Sequence, residues 1–248
     1  MKEQAYIFRK QIITLGVLIL CNIISLLLEL HFKIVVAILV YEIVVLGLTF
    51  IPSIRRVLRY PRWLHVIIYE LPFIMTIFFP ANTVRHDIDY YLYMLVFSLL
   101  ATFLLLIISK KQYLKNINAI SVCIPLKLKS YILEIIKIIF WALCEEICFR
   151  RFFVGWLMLE FGEITILGSA LLFTYTHYLN RWANVMFNVH IYLSQFILGL
   201  ILGSAYYLSG SLFITTICHL LFNSSTICNL TIRLKKNYQN DHVVFDDY

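Results

Sequence analysis

The chain of 248 residues is 61% hydrophobic and only 14% charged, with a formal net charge of +7. A composition that apolar excludes an ordinary soluble domain and points to an all-α, polytopic transmembrane helical bundle. The positive balance is not a nucleic-acid signal, because the basic residues sit between apolar runs and form no aromatic-interleaved patch.

A bilayer-spanning helix needs about 20 mostly apolar residues, and eight runs approach that length. In chain order they are Ile12–Leu30, Ile34–Ile51, Trp63–Phe79, Tyr90–Ser109, Ile132–Trp156, Ile164–Tyr178, Leu193–Leu208 and Leu212–Thr231. The first run is too long for a removable signal peptide, and no small-residue cleavage site follows it. Pro52 closes the second run, and the third contains Glu70 and Pro72. The turn Ser209-Gly210-Ser211 is so short that the last two helices must be antiparallel neighbours. Gly199 and Gly203 share one helical face, which suits close helix packing.

The basic segment Ser109–Ser130, broken by Pro125, reads either as a cytoplasmic loop or as a stretch along the inner membrane surface, where anionic lipids attract Lys and Arg. The sequence thus predicts one bundle over residues 1–236 and a disordered polar tail over 237–248. No internal repeat and no phosphate-binding glycine loop is present, which argues against an ATP-driven machine.

Loop charge sets orientation. With a cytoplasmic N-terminus, that side receives Lys2, Arg9, Lys10, Arg55, Arg56, Arg59, Arg62, Lys110, Lys111, Lys115, Lys127, Lys129, Arg181, Arg233, Lys235 and Lys236. The other side receives Lys33, Arg85, Arg150 and Arg151. Both termini are therefore expected in the cytoplasm. Of the six cysteines only Cys123 falls in a loop, which argues against a disulfide framework. Cys144 and Cys148 share a face and read as small packing residues rather than metal ligands.

Two adjacent carboxylates, Glu145 and Glu146, interrupt the fifth run. An ionised carboxylate in hydrocarbon costs on the order of 3 kcal/mol on insertion scales, so both need partners or a purpose. Neighbours on a helix differ by about 100° around the axis, whereas positions four apart share a face. Glu146 can therefore pair with Arg150, and Glu145 is left without a basic partner in its own segment. The spacing makes Glu146–Arg150 a structural ion pair and Glu145 the working group.

Two later spans add polar residues. Phe173 and His177 share a face of the sixth run, and His219 and Asn223 share a face of the eighth. Taken singly, a membrane histidine is more often a hydrogen-bond partner between helices than a catalyst. Together, a carboxylate, two histidines and an amide supply a base to deprotonate water and donors to hold an oxyanion. Glu70 also lies inside an apolar run and has no assigned role at this level.

Glu145-Glu146-Ile-Cys-Phe-Arg150 matches an EExxxR pattern, Phe173…His177 an FxxxH pattern, and His219…Asn223 an HxxxN pattern. In that order, on successive late spans, they resemble the motifs of the CPBP family, the CAAX protease and bacteriocin-processing membrane proteins also called Abi. The resemblance covers about 132–231. It implies an intramembrane endopeptidase in which Glu145, helped by His177, activates water, His219 and Asn223 stabilise the oxyanion, and Glu146, Arg150 and Phe173 support the site. It implies a membrane-associated peptide or protein substrate and a link to bacteriocin immunity or peptide and pheromone maturation. A metal-free glutamate mechanism with no cofactor is the favoured form; zinc on Glu145, His177 and His219 is the alternative. A non-catalytic immunity or binding protein, and a small transporter using Glu145 as a proton site, are the rival readings. The Ile, Lys and Asn-rich composition points to the cell membrane of a low-GC bacterium.

Overall fold

The computed structural model describes residues 2–58, 62–81, 88–121, 126–180 and 188–243. All regular structure among them is helical. In chain order the elements are α1 (Lys2–Leu27), α2 (Phe32–Leu58), α3 (Arg62–Ile74) running into a 3₁₀ turn (Met75–Phe78), and α4 (Ile88–Ser121). Next come α5 (Leu128–Glu146), a π-helical segment (Ile147–Trp156), the single turn α6 (Met158–Phe161) and α7 (Ile164–Leu179). The chain ends with α8 (Val189–Ser209), α9 (Leu212–Phe222) and α10 (Ser224–Val243).

Four helices are long and apolar enough to cross a bilayer: Tyr6–Leu27, Phe32–Ile51, Ile88–Ser109 and Val189–Ser209. A fifth span arises if α9 and α10, bent by 49° at Asn223, are taken as one. The expected eight spans are therefore not all of full length. The third run tightens into a 3₁₀ turn soon after Pro72. With 16 residues and a rise of about 1.5 Å per residue, α7 reaches only about 24 Å. The fifth run changes helix type at Ile147, and the eighth breaks at Asn223.

The inner layer consists of the π segment, α7, α8 and α9, which bury Phe149, Phe152, Phe173, Leu198, Leu202 and Cys218 in one apolar cluster. The paired helices α1 and α2 pack on the α7 side, and α4 packs against α8 and α9. The outward rows of α1 and α4, including Leu27 and Ile108, form lipid-facing surface. A Cβ on Gly199 would lie 2.9 Å from the Ala170 Cβ, and one on Gly203 would lie 3.0 Å from Ile166 Cγ2. The two glycines thus let α7 and α8 touch, as their spacing foretells.

The turn from α8 to α9 places Gly210 at φ 64°, a left-handed conformation that favours glycine, with its N–H donating to the Tyr206 carbonyl at 2.7 Å. The tail departs from expectation: α10 continues through Val243, so 237–243 are helical, and 244–248 lie outside the described residues. The basic segment after Ser109 is helical to Ser121. Cys123, Pro125, Arg85 and Arg181 lie outside the described residues. The other cysteines are free.

Candidate active site

The site starts where α5 ends. From Ile147 to Trp156 the backbone is π-helical, a widened form usually confined to single turns and frequent at functional sites. The segment packs its own rings: Phe149 stacks on Phe153 with centroids 6.0 Å apart, and Phe152 stacks on Trp156 at 5.1 Å. Burying those aromatics offsets the poorer backbone geometry. Arg150 sits among them, fully buried, and is not a loop charge as the orientation reading had it. Removing it from that count leaves the charge asymmetry pointing the same way.

Arg150 Nε lies 3.2 Å from Glu146 Oε2, the ion pair that four-residue spacing requires, and both side chains are fully buried. The contact is ionic rather than a well-directed hydrogen bond. The guanidinium also donates from Nη1 to Ser169 Oγ at 3.1 Å and lies 4.9 Å from the Phe173 ring centre. Ser169 in turn donates to the Phe149 carbonyl at 2.6 Å, so one serine ties α7 to the π segment. Arg151 leaves the cluster and donates to the carbonyls of Ile77 and Phe79, at 2.7 and 2.8 Å.

His219 of α9 joins the two glutamates. Its Nδ1 donates to Glu146 Oε1 at 2.9 Å, because a carboxylate can only accept. That contact aims Nε2 at Glu145, whose Oε2 is 3.6 Å away. Glu145 keeps 20% of its side-chain surface exposed, against none for Glu146. Among the described residues Glu145 makes no hydrogen bond. The adjacent carboxylates thus differ in environment as their helical phase predicts: one locked and buried, one open.

α7 presents Ser169, Phe173 and His177 at intervals of four, on one face. The buried Phe173 ring is a shared platform. His177 meets it with centroids 4.6 Å apart, and His219 meets it at 5.8 Å from the other helix. His177 Nδ1 donates to the Phe173 carbonyl at 3.0 Å, which fixes its ring. The contact the structure gives Glu145 is to His219, while His177 joins the cluster through Phe173.

Asn223 is at the break between α9 and α10, not inside a continuous helix. Its backbone N–H donates to the His219 carbonyl at 2.9 Å, and its side chain is half-buried without a hydrogen bond among the described residues. No three His, Cys, Asp or Glu side chains among the described residues converge as a metal cage. The set Glu145, His177 and His219 does not fit a zinc site in this geometry, so no step is built on one.

Two contributors escape motif reading. Ser169 holds Arg150, and its signal is the four-residue register with Phe173 and His177. Glu70, on α3, is buried within charge range of Glu145, and only its unexplained place in an apolar run marked it.

A family profile described as type II CAAX prenyl endopeptidase Rce1-like matches residues 127–225. No curated protein and no solved structure matches the chain. The apolar helices together with this match make the chain an integral membrane protein. Over residues 127–225, which hold the whole glutamate–arginine–histidine cluster, the chain is similar to the Rce1-like endopeptidases.

Proposed function

We propose that the chain is an intramembrane endopeptidase of glutamic type, hydrolysing a peptide bond in a membrane-associated or hydrophobic peptide. The observation that carries this reading is the open Glu145 carboxylate, 3.6 Å from an imidazole nitrogen whose partner nitrogen is fixed to Glu146. A base needs room for water and freedom from other hydrogen bonds; Glu145 keeps 20% of its side-chain surface exposed and makes no hydrogen bond among the described residues.

In the reaction, water gives a proton to Glu145 as its oxygen bonds to the scissile carbonyl carbon. The carbonyl electrons move onto oxygen. Protonated His219, which donates from both ring nitrogens, meets that charge with Nε2–H, and the uncommitted Asn223 amide supplies a second donor. On collapse the C–N bond breaks and Glu145 returns its proton to the leaving nitrogen. His177 orders the water. Glu146 and Arg150 hold His219 in register. No metal is used.

The substrate class that fits is a secreted peptide, a leader or a pheromone precursor in a bacterial cell membrane, and the loop-charge asymmetry supports cytoplasmic termini. A place in bacteriocin immunity fits the same chemistry. The test is Glu145→Gln in purified protein. Cleavage of a fluorogenic hydrophobic peptide should fall by at least about 100-fold, with an unchanged size-exclusion profile. Cleavage near the wild-type rate overturns the assignment.

A further inference from the structure

Glu70 is a buried carboxylic acid that the mechanism above does not use. It lies on α3, two residues before Pro72, and is 3% exposed. Its Oε2 is fully buried and meets no hydrogen-bond donor. Across the α3–α5 contact it lies within electrostatic range of Glu145, Lys137 and the Cys144 thiol, and of the Cys148 thiol on the π segment. Packed on the other side of α3, α2 brings no charge that reaches it among the described residues. The one cation within range among the described residues is committed elsewhere: Lys137 Nζ is 3.1 Å from Glu134 Oε2 and 4.5 Å from the Trp141 ring centre.

The helix that carries Glu70 is held at both neighbours. Arg151 ties the backbone just after α3 to the π segment through the Ile77 and Phe79 carbonyls. On the α2 side, a Cβ on Gly47 would come within 2.8 Å of Pro72 Cγ, so the helices are in contact there. A buried carboxylate without a donor or a free cation is costly, and a second carboxylate nearby adds repulsion. Glu145, with 20% of its side-chain surface exposed and its Oε2 3.6 Å from His219 Nε2, is the better place for the charge.

We propose that Glu70 and Glu145 act as a coupled pair across the α3–α5 contact, with Glu70 holding a proton while Glu145 is ionised, so that this pair enters the reaction with one negative charge rather than two. Two carboxyls in unlike environments taking opposite protonation states is a recurring catalytic arrangement. Glu70 acts through Glu145 and is a positioning residue. Its consequence for catalysis rests on the hydrolytic reading above; the proton itself does not. Ionising Glu70 sets a second negative charge beside the developing oxyanion and slows the reaction.

The test uses the full chain in lipid bilayers. Difference infrared spectra of wild type against Glu70→Gln at neutral pH should show loss of the carbonyl stretch of a protonated carboxyl; no such band overturns the proposal. In Glu145→Gln the Glu70 band should persist and titrate away at lower pH than in wild type, because the neighbouring charge is gone. An unmoved midpoint overturns the pairing, and this arm decides alone if Glu70→Gln misfolds. In turnover, Glu70→Gln should lose the alkaline fall in kcat/KM that wild type shows. A fall at the same pH in both proteins overturns the catalytic consequence. If wild type cleaves no peptide at all, the hydrolase reading fails, and the infrared arms still decide where the proton sits.

Discussion

His219 Nδ1 lies 2.9 Å from Glu146 Oε1, and through that contact the buried glutamate does two jobs at once. It neutralises Arg150 on its own helix and orients an imidazole on another. Its role is therefore more than architectural, because the direction of His219 Nε2 toward Glu145 depends on it. Glu146→Gln leaves Arg150 charged and buried with no counter-ion, a loss of about 3–5 kcal/mol. Folded yield in detergent should drop. The double change Glu146→Leu with Arg150→Met should recover part of that stability and none of the cleavage, since His219 then has no acceptor. Thermal unfolding beside peptidase assays separates the two effects.

His219→Asn is the sharper probe of the same contact. An asparagine amide nitrogen occupies roughly the place of Nδ1 and can still donate to Glu146. Nothing replaces Nε2, the atom that faces Glu145. The variant should melt near wild type and cleave at least about 100-fold more slowly. An active His219→Asn enzyme would remove His219 from the chemistry.

Phe173 touches His177, His219, Phe149 and the Arg150 guanidinium, and it is fully buried. Phe173→Ala should cost about 3–5 kcal/mol. Phe173→Leu should cost about 1–2 kcal/mol and lower kcat more than it raises KM, because both imidazoles lose their common surface. Equal effects on both parameters would make the ring a packing residue only.

The parts of this site that lie within one helix were legible in the sequence, and the parts between helices were not. Four-residue spacing dictates the Glu146–Arg150 pair and the shared face of Phe173 and His177, and the structure has both. The His219–Glu146 bond joins two spans, and no local spacing encodes it. The π segment has no sequence signature; it depends on how Phe149, Phe152, Phe153 and Trp156 pack around a buried arginine. Hydropathy finds the apolar runs but not the lengths of their helices, because it is blind to the bend at Asn223 and to the tightening after Pro72. A polar tail reads as disorder because composition does not reveal that α10 carries on to Val243.

At its first turn α2 is tied by Lys33 to the exit of the π segment and to Glu160 of α6, outside the spanning helices. The Lys33 ammonium is 2.6 Å from Glu160 Oε1 and donates to the Trp156 carbonyl at 3.2 Å. The hydrogen bond from Lys33 holds the Glu160 carboxyl below the usual carboxylate range. A depressed folded-state value means that the tie stabilises above the unfolded carboxylate pKa and is lost as pH falls through the folded one. The melting temperature of wild type should exceed that of Glu160→Gln slightly at neutral pH, as for exposed pairs in general, and the gap should close on acidification. A gap that widens in acid would contradict the sign.

Metal dependence can be decided by removal. Zinc ligands sit about 2.0–2.2 Å from the ion, and a site needs several side chains converging on one point. Here His219 has one ring nitrogen committed to Glu146 and the other 3.6 Å from Glu145, and His177 has Nδ1 committed to its own helix. Prolonged treatment with a strong zinc chelator, followed by dialysis, should therefore leave peptide cleavage unchanged, and added zinc should not raise it. Activity that is lost on chelation and restored by zinc would move Glu145 from base to ligand and require the helices to close around the ion.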